Sequence, residues 1–581
     1  MTTPPPPDGT QAPDEAARAA PTAEARTTPR SVADAYVDAL ADLDTSVATA
    51  LGLRPHDDRV PDLSPAGQSA RDDLARQTLA ALDAARVPED EHADTERRCA
   101  AVLRERLTYQ LEWSAAGEHL RAMRNIFGPP QAVRALFTMM PTETEEDWAV
   151  VARRMAKVPQ AYEGYVASLR AGSERGLHAA PLQVETVVEQ LDAWVGGDLS
   201  TFHELVAGGP PALEAELRAG ADRAVEGVVA LRRYLAQEYL PATRGTPDAV
   251  GAQRYALGVR ASTGSVMTEA DLHDAYAWGW SQVLGLREEM LEQAALVLPG
   301  ASVKEAMEHL DAHGEVVEGV EEVRLRLQQM MDTAIEDLDG EHFDIVGPVR
   351  TVEARIAPAG SAAAPYYTRP SVDFSRPGRT WLPTMGRTRF PLWELVSTWY
   401  HEGVPGHHLQ LAQWVHVAPQ LSVYQTTLGS SSAATEGWAL YAERLMDELG
   451  YLDVGARLGY LDAQMLRAIR VVVDIGMHLE LEVPGDSPMF AGERWTPERA
   501  RQFFDAFCGR DAEFVASEIV RYLGWPGQAI SYKLGERAWL AGRAAAREAR
   551  GASFDLKAWH MAALSLGALG LDDLTAELAR L

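Results

Sequence analysis

The sequence predicts a mainly α-helical protein, interrupted once by a short strand-containing segment, and three observations carry that expectation. From residue 31 to about residue 340, stretches such as Ser31 to Leu51, Glu96 to Arg124, Leu213 to Tyr239 and Glu315 to Leu338 repeat apolar residues at three- and four-residue spacing between Pro and Gly breaks. Between about 347 and 390 the texture changes. There GPVRTVEARIAP alternates apolar and polar residues, and PYYTRPSVDFSRPGRTWLPTMG is dense in Pro, Gly and aromatics, as strands and loops are. From Pro391 to the end the helical period resumes.

The expected organisation follows in order. Residues 1–30, rich in Pro and Ala with no apolar period, form a disordered tail outside the fold. Residues 31–346 form an N-terminal helical region without a fixed-period repeat. Residues 347–581 form a catalytic region, with strands confined to 347–390 and helices over 391–581.

Composition sets the outer limits. With 581 residues, 46% of them hydrophobic and 24% charged, the chain is ordinary globular material and long enough for a large core. Its two cysteines, Cys99 and Cys508, build no disulfide framework and no CxxC pair, so a reducing compartment is expected and any metal must be held by histidine and carboxylate. The opening MTTPPPPDGTQAPDEAARAA has neither a basic nor an apolar targeting segment, which predicts a cytoplasmic protein. A formal charge of -30 argues against nucleic acid or anionic membrane as partner. GxGxxG, GxxxxGK and GxSxG are absent, and GSSSAAT only superficially resembles the last.

The chemistry concentrates in PLWELVSTWYHEGVPGHH. Pro391 stands at a natural first-turn position, and Leu392, Leu395, Val396 and Trp399 make one stripe, so His401 and Glu402 end a buried helical turn. In the ordinary helical zinc motif, histidines at i and i+4 share a face and the glutamate beside the first serves as base. Here position i+4 is Pro405, which is no ligand. Proline cannot donate to the His401 carbonyl, and Gly406 can adopt angles closed to other residues, so the helix must break or bulge. On an unbroken helix His407 would point about 120° away, and His408 would lie about 10 Å further along the axis. A Pro-Gly bulge that returns His407 to the second-ligand position is the better geometry, with His408 as the alternative. The competing structural explanation is a core histidine followed by a helix-end pair.

A third ligand should come from another helix, and TEGWALYAERLMDELG supplies one. Trp438, Tyr441, Ala442, Leu445 and Leu449 form its apolar stripe, while Glu436 and Glu443 share another face two turns apart, about 10 Å, too far for one ion to take both. Glu436, which opens the helix, is the expected ligand. Glu443 either orients a ligand histidine through its second nitrogen or is a solvated charge.

These motifs, HEGVPGH followed by EGWALYAERL, resemble the bacterial family labelled domain of unknown function 885, a zincin-like group within the glutamate-zincin metallopeptidases. The resemblance extends to PYYTRPSVDFSRPG upstream and to RAIRVVVDIGMH and RYLGWPGQAISYKLG downstream, covering roughly residues 350 to 540 by motif. It implies a large helical zincin-like architecture, His401, His407 and Glu436 as ligands of Zn²⁺, and Glu402 as base. One departure is WLPTM, where the family is expected to end its strand in asparagine, which bears on substrate contacts and not on the metal.

Supporting groups are read from polar residues in apolar surroundings. In LRAIRVVVDIGMHLELE, Arg470, Asp474 and His478 recur every four positions; such a stripe must bond internally, as an Arg470–Asp474 ladder would, or face a cavity. His478 is a candidate catalytic group near the substrate or oxyanion. In RYLGWPGQAISYKLGER, Tyr532 is the candidate oxyanion donor and Lys533 a candidate anchor for a substrate carboxylate, against a packing tyrosine and a solvated lysine. Gln528, Arg470 and His408 are further candidate substrate contacts, as are Tyr366 and Tyr367, whose edge strand would pair an extended peptide or form a lid.

The expected activity is hydrolysis of peptide or amide bonds, with short peptides or other small molecules as partners. The rivals are an amidohydrolase dedicated to one biosynthetic intermediate and a zincin-shaped binding protein without turnover. Dipeptide and tripeptide screening separates the first, and retained ligand binding without product the second.

Overall fold

Helix after helix begins where the sequence supplies a capping side chain. Thr28, Thr144, Thr268 and Ser302 each accept from the backbone three residues on, and the residue there bonds back to the cap. The computed structural model describes residues 27–197, 199–358 and 364–581. The tail expected over residues 1–30 lies outside the described residues as far as residue 26; the first helix starts at Pro29, inside that expected tail.

The chain is mainly α-helical, with two small sheets in its middle. Buried apolar residues form two cores. One draws on residues 123–239 alone, and the larger joins residues 32–107 to residues 255–578. No described helix is long and apolar enough to cross a membrane.

The strands are β1 (Val316–Glu318), β2 (Val352–Ile356), β3 (Tyr366–Thr368), β4 (Gly378–Leu382) and β5 (Arg389–Pro391). One sheet runs β2-β4-β3, with β2 parallel and β3 antiparallel to β4. β4 buries every second residue, as a period of two requires. The other sheet pairs β1 with β5, and both members correct the sequence expectation. Val316 and Val317, β-branched and suited to a strand, were expected in a helix from Glu315; that helix starts at Val320, after Gly319 at φ 102°. Pro391 was expected to open the metal helix but closes β5 opposite Val316, and the helix begins only at Val396.

Seven helices position the site: α1 (Glu269–Val297), α2 (Val396–Glu402), α3 (His407–His416), α4 (Ser432–Glu448), α5 (Val454–His478), α6 (Ala512–Gly524) and α7 (Ser531–Arg550). Helix α5 is apolar nearly all round and is buried on every side from Leu458 to His478, with α1 packed along it. Helices α4 and α7 touch backbone to backbone: a Cβ added to Gly437 would stand 2.4 Å from Cα of Gly535.

Candidate metal centre

Ser397 and His401 lie four residues apart on α2 and therefore on one face, and both are buried with Glu402. The helix then stops. Gly403 to Gly406 separate it from α3, which begins at His407, so the Pro-Gly sequence breaks the helix as its backbone chemistry requires. The turn is held from outside by Trp438, whose indole N–H lies 2.9 Å from the Pro405 oxygen and 3.0 Å from that of Gly406. Only glycine fits at 406, where a Cβ would meet the His401 oxygen at 2.0 Å.

The break brings the two imidazoles together, with ring centroids 4.7 Å apart. Glu436, in the first turns of α4, places Oε2 3.3 Å from His401 Nε2 and 3.7 Å from His407 Nε2. The three ligand atoms all lie within 4.8 Å of one another. A tetrahedral ion with bonds near 2.0–2.2 Å has ligand-to-ligand edges of about 3.3–3.6 Å, so the donor set and its spacing fit such an ion. His408, the alternative, is not in the cluster. Its ring is buried beneath β3, with Nε2 2.8 Å from the Val349 oxygen and Nδ1 2.9 Å from the Tyr367 hydroxyl, and burial lowers it to about 4.

Charge is arranged around this cluster. Glu443 is 1% exposed, which excludes the solvated alternative, and its Oε1 lies 2.8 Å from His401 Nδ1. That contact fixes the His401 tautomer with Nε2 facing Glu436. Glu443 is itself held by the Ser397 hydroxyl and by Arg467 at 3.0 Å, and these partners keep it below the usual carboxylate range against the effect of burial. Burial opposes charge on His401, but Glu436, Glu443 and Glu402 outweigh it and raise the imidazole to about 9. Among the described residues His407 has no such orienting partner: its Nδ1 is buried without a hydrogen bond. Glu402, 3.9 Å from His401 Nε2, moves the other way, since burial lifts its carboxyl above the usual range despite the neighbouring histidines. A buried carboxyl with a raised affinity for protons beside a metal-type cluster suits proton transfer.

Of the remaining candidates, Tyr532 lies on the helix packed against α4, next to Ser531, whose hydroxyl is 2.9 Å from that of Ser432 one turn before Glu436. It sits in the first turn of α7, half-buried, and its phenol is raised by burial and by the charge of Glu436. Arg470 lies over its ring, 4.8 Å from the centroid, and bonds Tyr522 and Glu518 instead of the Asp474 expected from the ladder. Gln528 accepts from Arg521 and donates to Ser432, one turn before Glu436.

The expected free roles of His478 and Lys533 need correction. His478 lies eleven residues beyond Arg467 on α5, about 16 Å along the axis. Its ring nitrogens face Tyr522 O at 3.0 Å and Val250 N at 3.4 Å, and burial lowers it to about 4, so it has no free nitrogen for catalysis. The Lys533 ammonium, 1% exposed, is taken by Gln464 and Glu536 and is not a free carboxylate anchor. Tyr366 and Tyr367 lie on β3, the edge strand expected; Tyr366 stacks on Trp381 and Tyr367 bonds His408.

Sequence reasoning missed Arg467, Ser397, Glu518 and Arg521. The last two carried a usable signal, since they sit three residues apart in the apolar EFVASEIVRYLG, the same anomaly that singled out Arg470.

No curated protein matches the chain. Two solved structures share its fold. One, from Colwellia psychrerythraea, is 21% identical with a TM-score of 0.82, covering 95% of this chain and 98% of its own. The other, from Shewanella oneidensis, is 17% identical with a TM-score of 0.71, covering 95% of this chain and 100% of its own. Both are described as a "putative lipoprotein", the second of unknown function. The family described as "Bacterial protein of unknown function (DUF885)" matches residues 46–578, and the chain belongs to that family.

Proposed function

We propose that the protein is a zinc-dependent hydrolase of amide or peptide bonds in short peptides or small amides, with a zincin-like catalytic region. One observation supports this above the rest: His401, His407 and Glu436 converge with ligand spacing, while the adjacent buried carboxylate of Glu402 is left out of that set.

When bound to these three side chains, a zinc ion supplies a Lewis acid with an open position, polarising a carbonyl and acidifying water. Glu402 takes the proton from the attacking water on its carboxylate and delivers it to the leaving amine. Tyr532 donates its phenolic O–H to the oxyanion without bringing a charge. Glu443 holds the proton on His401 Nδ1, keeping Nε2 free to bind. A helical enclosure around the site would favour short substrates over folded proteins, by analogy of fold.

Location belongs to the same proposal. The lipoprotein description of both structural relatives supports the cell envelope over the cytoplasm expected from composition. Fractionation of cells decides between them.

Elemental analysis of the purified protein, followed by a screen of dipeptides, tripeptides and small amides, tests the function. About one zinc per chain, with cleavage that Glu402→Gln abolishes, supports it. A protein that is metal-free and stays so after zinc is offered sinks it.

A further inference from the structure

Beside the metal cluster lies a buried cationic group that the proposed hydrolysis does not use. Arg470 from α5 and Arg521 from α6 are 8% and 7% exposed, and they share one carboxylate, that of Glu518. Glu518 Oε2 receives Arg470 Nη2 at 2.8 Å, Arg521 Nη2 at 2.7 Å and the Tyr522 hydroxyl at 2.6 Å, while Oε1 receives Arg521 Nε at 2.9 Å. Its acceptor sites are filled. Arg521 spends its remaining nitrogen on Gln528, and Arg470 spends Nε on Tyr522. Arg470 Nη1 makes no hydrogen bond among the described residues and keeps access to solvent, so it is open to a ligand.

Two guanidinium groups against one carboxylate leave a net positive charge in a largely buried site, which favours an anion there. Asp474, one turn further along α5, does not fill that role. Its Oδ2 is taken by Tyr255 and Gly527, and burial raises its carboxyl to about 7. The free donor is close to the chemistry. Arg470 lies over the ring of Tyr532, which feels the charge of Glu436, and Gln528 reaches Ser432 one turn before that ligand.

We propose that Arg470, its guanidinium positioned by Glu518 and seated over Tyr532, binds a free carboxylate of the substrate, so that the enzyme acts on small amides bearing a carboxylate next to the cleaved bond. A peptide cleaved at its carboxy-terminal residue has this form. Arg470 Nη1 supplies the charge-assisted hydrogen bond, and Tyr532 faces the reacting carbonyl beside it. This rests on the hydrolase assignment for the identity of the cleaved bond.

The test is binding, measured by calorimetry on the metal-loaded Glu402→Gln protein, of di- and tripeptides each offered as free acid and as carboxy-terminal amide. Free acids are expected to bind about 30-fold or more tightly than their amides, the scale for a buried charge pair that loses one partner. Arg470→Met removes that difference, and Arg470→Lys, which keeps the charge and loses the fork, retains part of it. If Arg470→Met does not fold, the acid and amide pairs on the parent protein and on Arg470→Lys still decide. Equal binding of acids and amides, no binding by any free acid, or undiminished discrimination in a folded Arg470→Met overturns the proposal. Cleavage of acids and amides alike by the protein with Glu402 intact removes the carboxylate site and leaves the hydrolase. Discriminating binding with no turnover does the reverse.

Discussion

The two ends of the stretch of α5 from Arg467 to His478 make an instructive pair. Both carry polar side chains in an otherwise apolar, fully buried helix, and from sequence they look alike. At one end Arg467 braces Glu443 behind His401, and Arg470 retains a nitrogen without a partner. At the other, His478 has both ring nitrogens engaged by backbone groups and is 0% exposed. Burial of a polar group is therefore not what marks a functional site. What separates Arg470 from His478 is that backbone groups take both nitrogens of His478 while no described residue takes Arg470 Nη1; Asp474 Oδ1, between them, is also buried without a hydrogen bond among the described residues.

That contrast is strongest where a ligand is removed. Glu436→Ala is expected to lower metal content from about one ion per chain to near zero and abolish turnover, whereas His478→Gln leaves both intact; elemental analysis of the two folded variants decides. Loss of metal from His478→Gln would break the distinction. Next in size is Glu402→Gln, expected to keep its metal and lose about 10²- to 10⁴-fold in kcat, the usual contribution of a general base. Glu443→Gln tests the support behind His401 and should weaken metal binding about 10- to 100-fold in a chelator competition.

The smallest effect belongs to the sealed end and is a matter of pH. Burial holds folded His478 at about 4, while an unfolded histidine titrates near 6.5, so the unfolded chain takes up the proton first. The stability contributed by neutral His478 is full above 6.5 and lost as pH falls towards 4. Asp474 works in the opposite sense. Burial raises it from 3.8 to about 7, so its contribution is full below 3.8 and lost as pH rises through 7. Unfolding midpoints measured from pH 4 to 8 should show His478→Gln flattening the acid slope and Asp474→Asn flattening the rise-dependent loss. Unchanged slopes in both would show that neither group titrates as its burial requires. His478→Gln should also lower stability by about 1–3 kcal/mol, because it leaves buried partners unpaired.

The legible parts of this molecule were those that one segment dictates by itself. Helical periodicity, the strand-rich stretch and the break forced by Pro405 and Gly406 all follow from local backbone chemistry, and the structure carries each of them. The convergence of Glu436 on two histidines about thirty residues earlier was legible because its helix offers few carboxylates on that face, although the helix starts at Ser432 and not, as expected, at Glu436. Where the outcome depended on distant partners, sequence was mute. β1 becomes a strand only because β5 is there to pair with it. One partner of Lys533, Gln464, lies on another helix, although the other, Glu536, stands three residues on in the same segment; His478 looked reactive because its acceptor is the backbone of Tyr522 on α6. Glu518, which decides how Arg470 is used, stands 48 residues from it in the chain.

The backbone contact between Gly437 and Gly535 acts as a ruler for the whole site. Glu436 sits one residue before one glycine and Tyr532 three before the other, so the gap between metal ligand and oxyanion donor is set by two main chains in contact and not by adjustable rotamers. A single methyl group at either position must push the helices apart by about 1 Å to reach ordinary contact, the scale of misplacement that can slow a reaction about a hundredfold. The tolerance of the catalytic geometry is thus written in the narrowest part of the scaffold, in the main chains of the two helices that carry the metal ligand and the oxyanion donor.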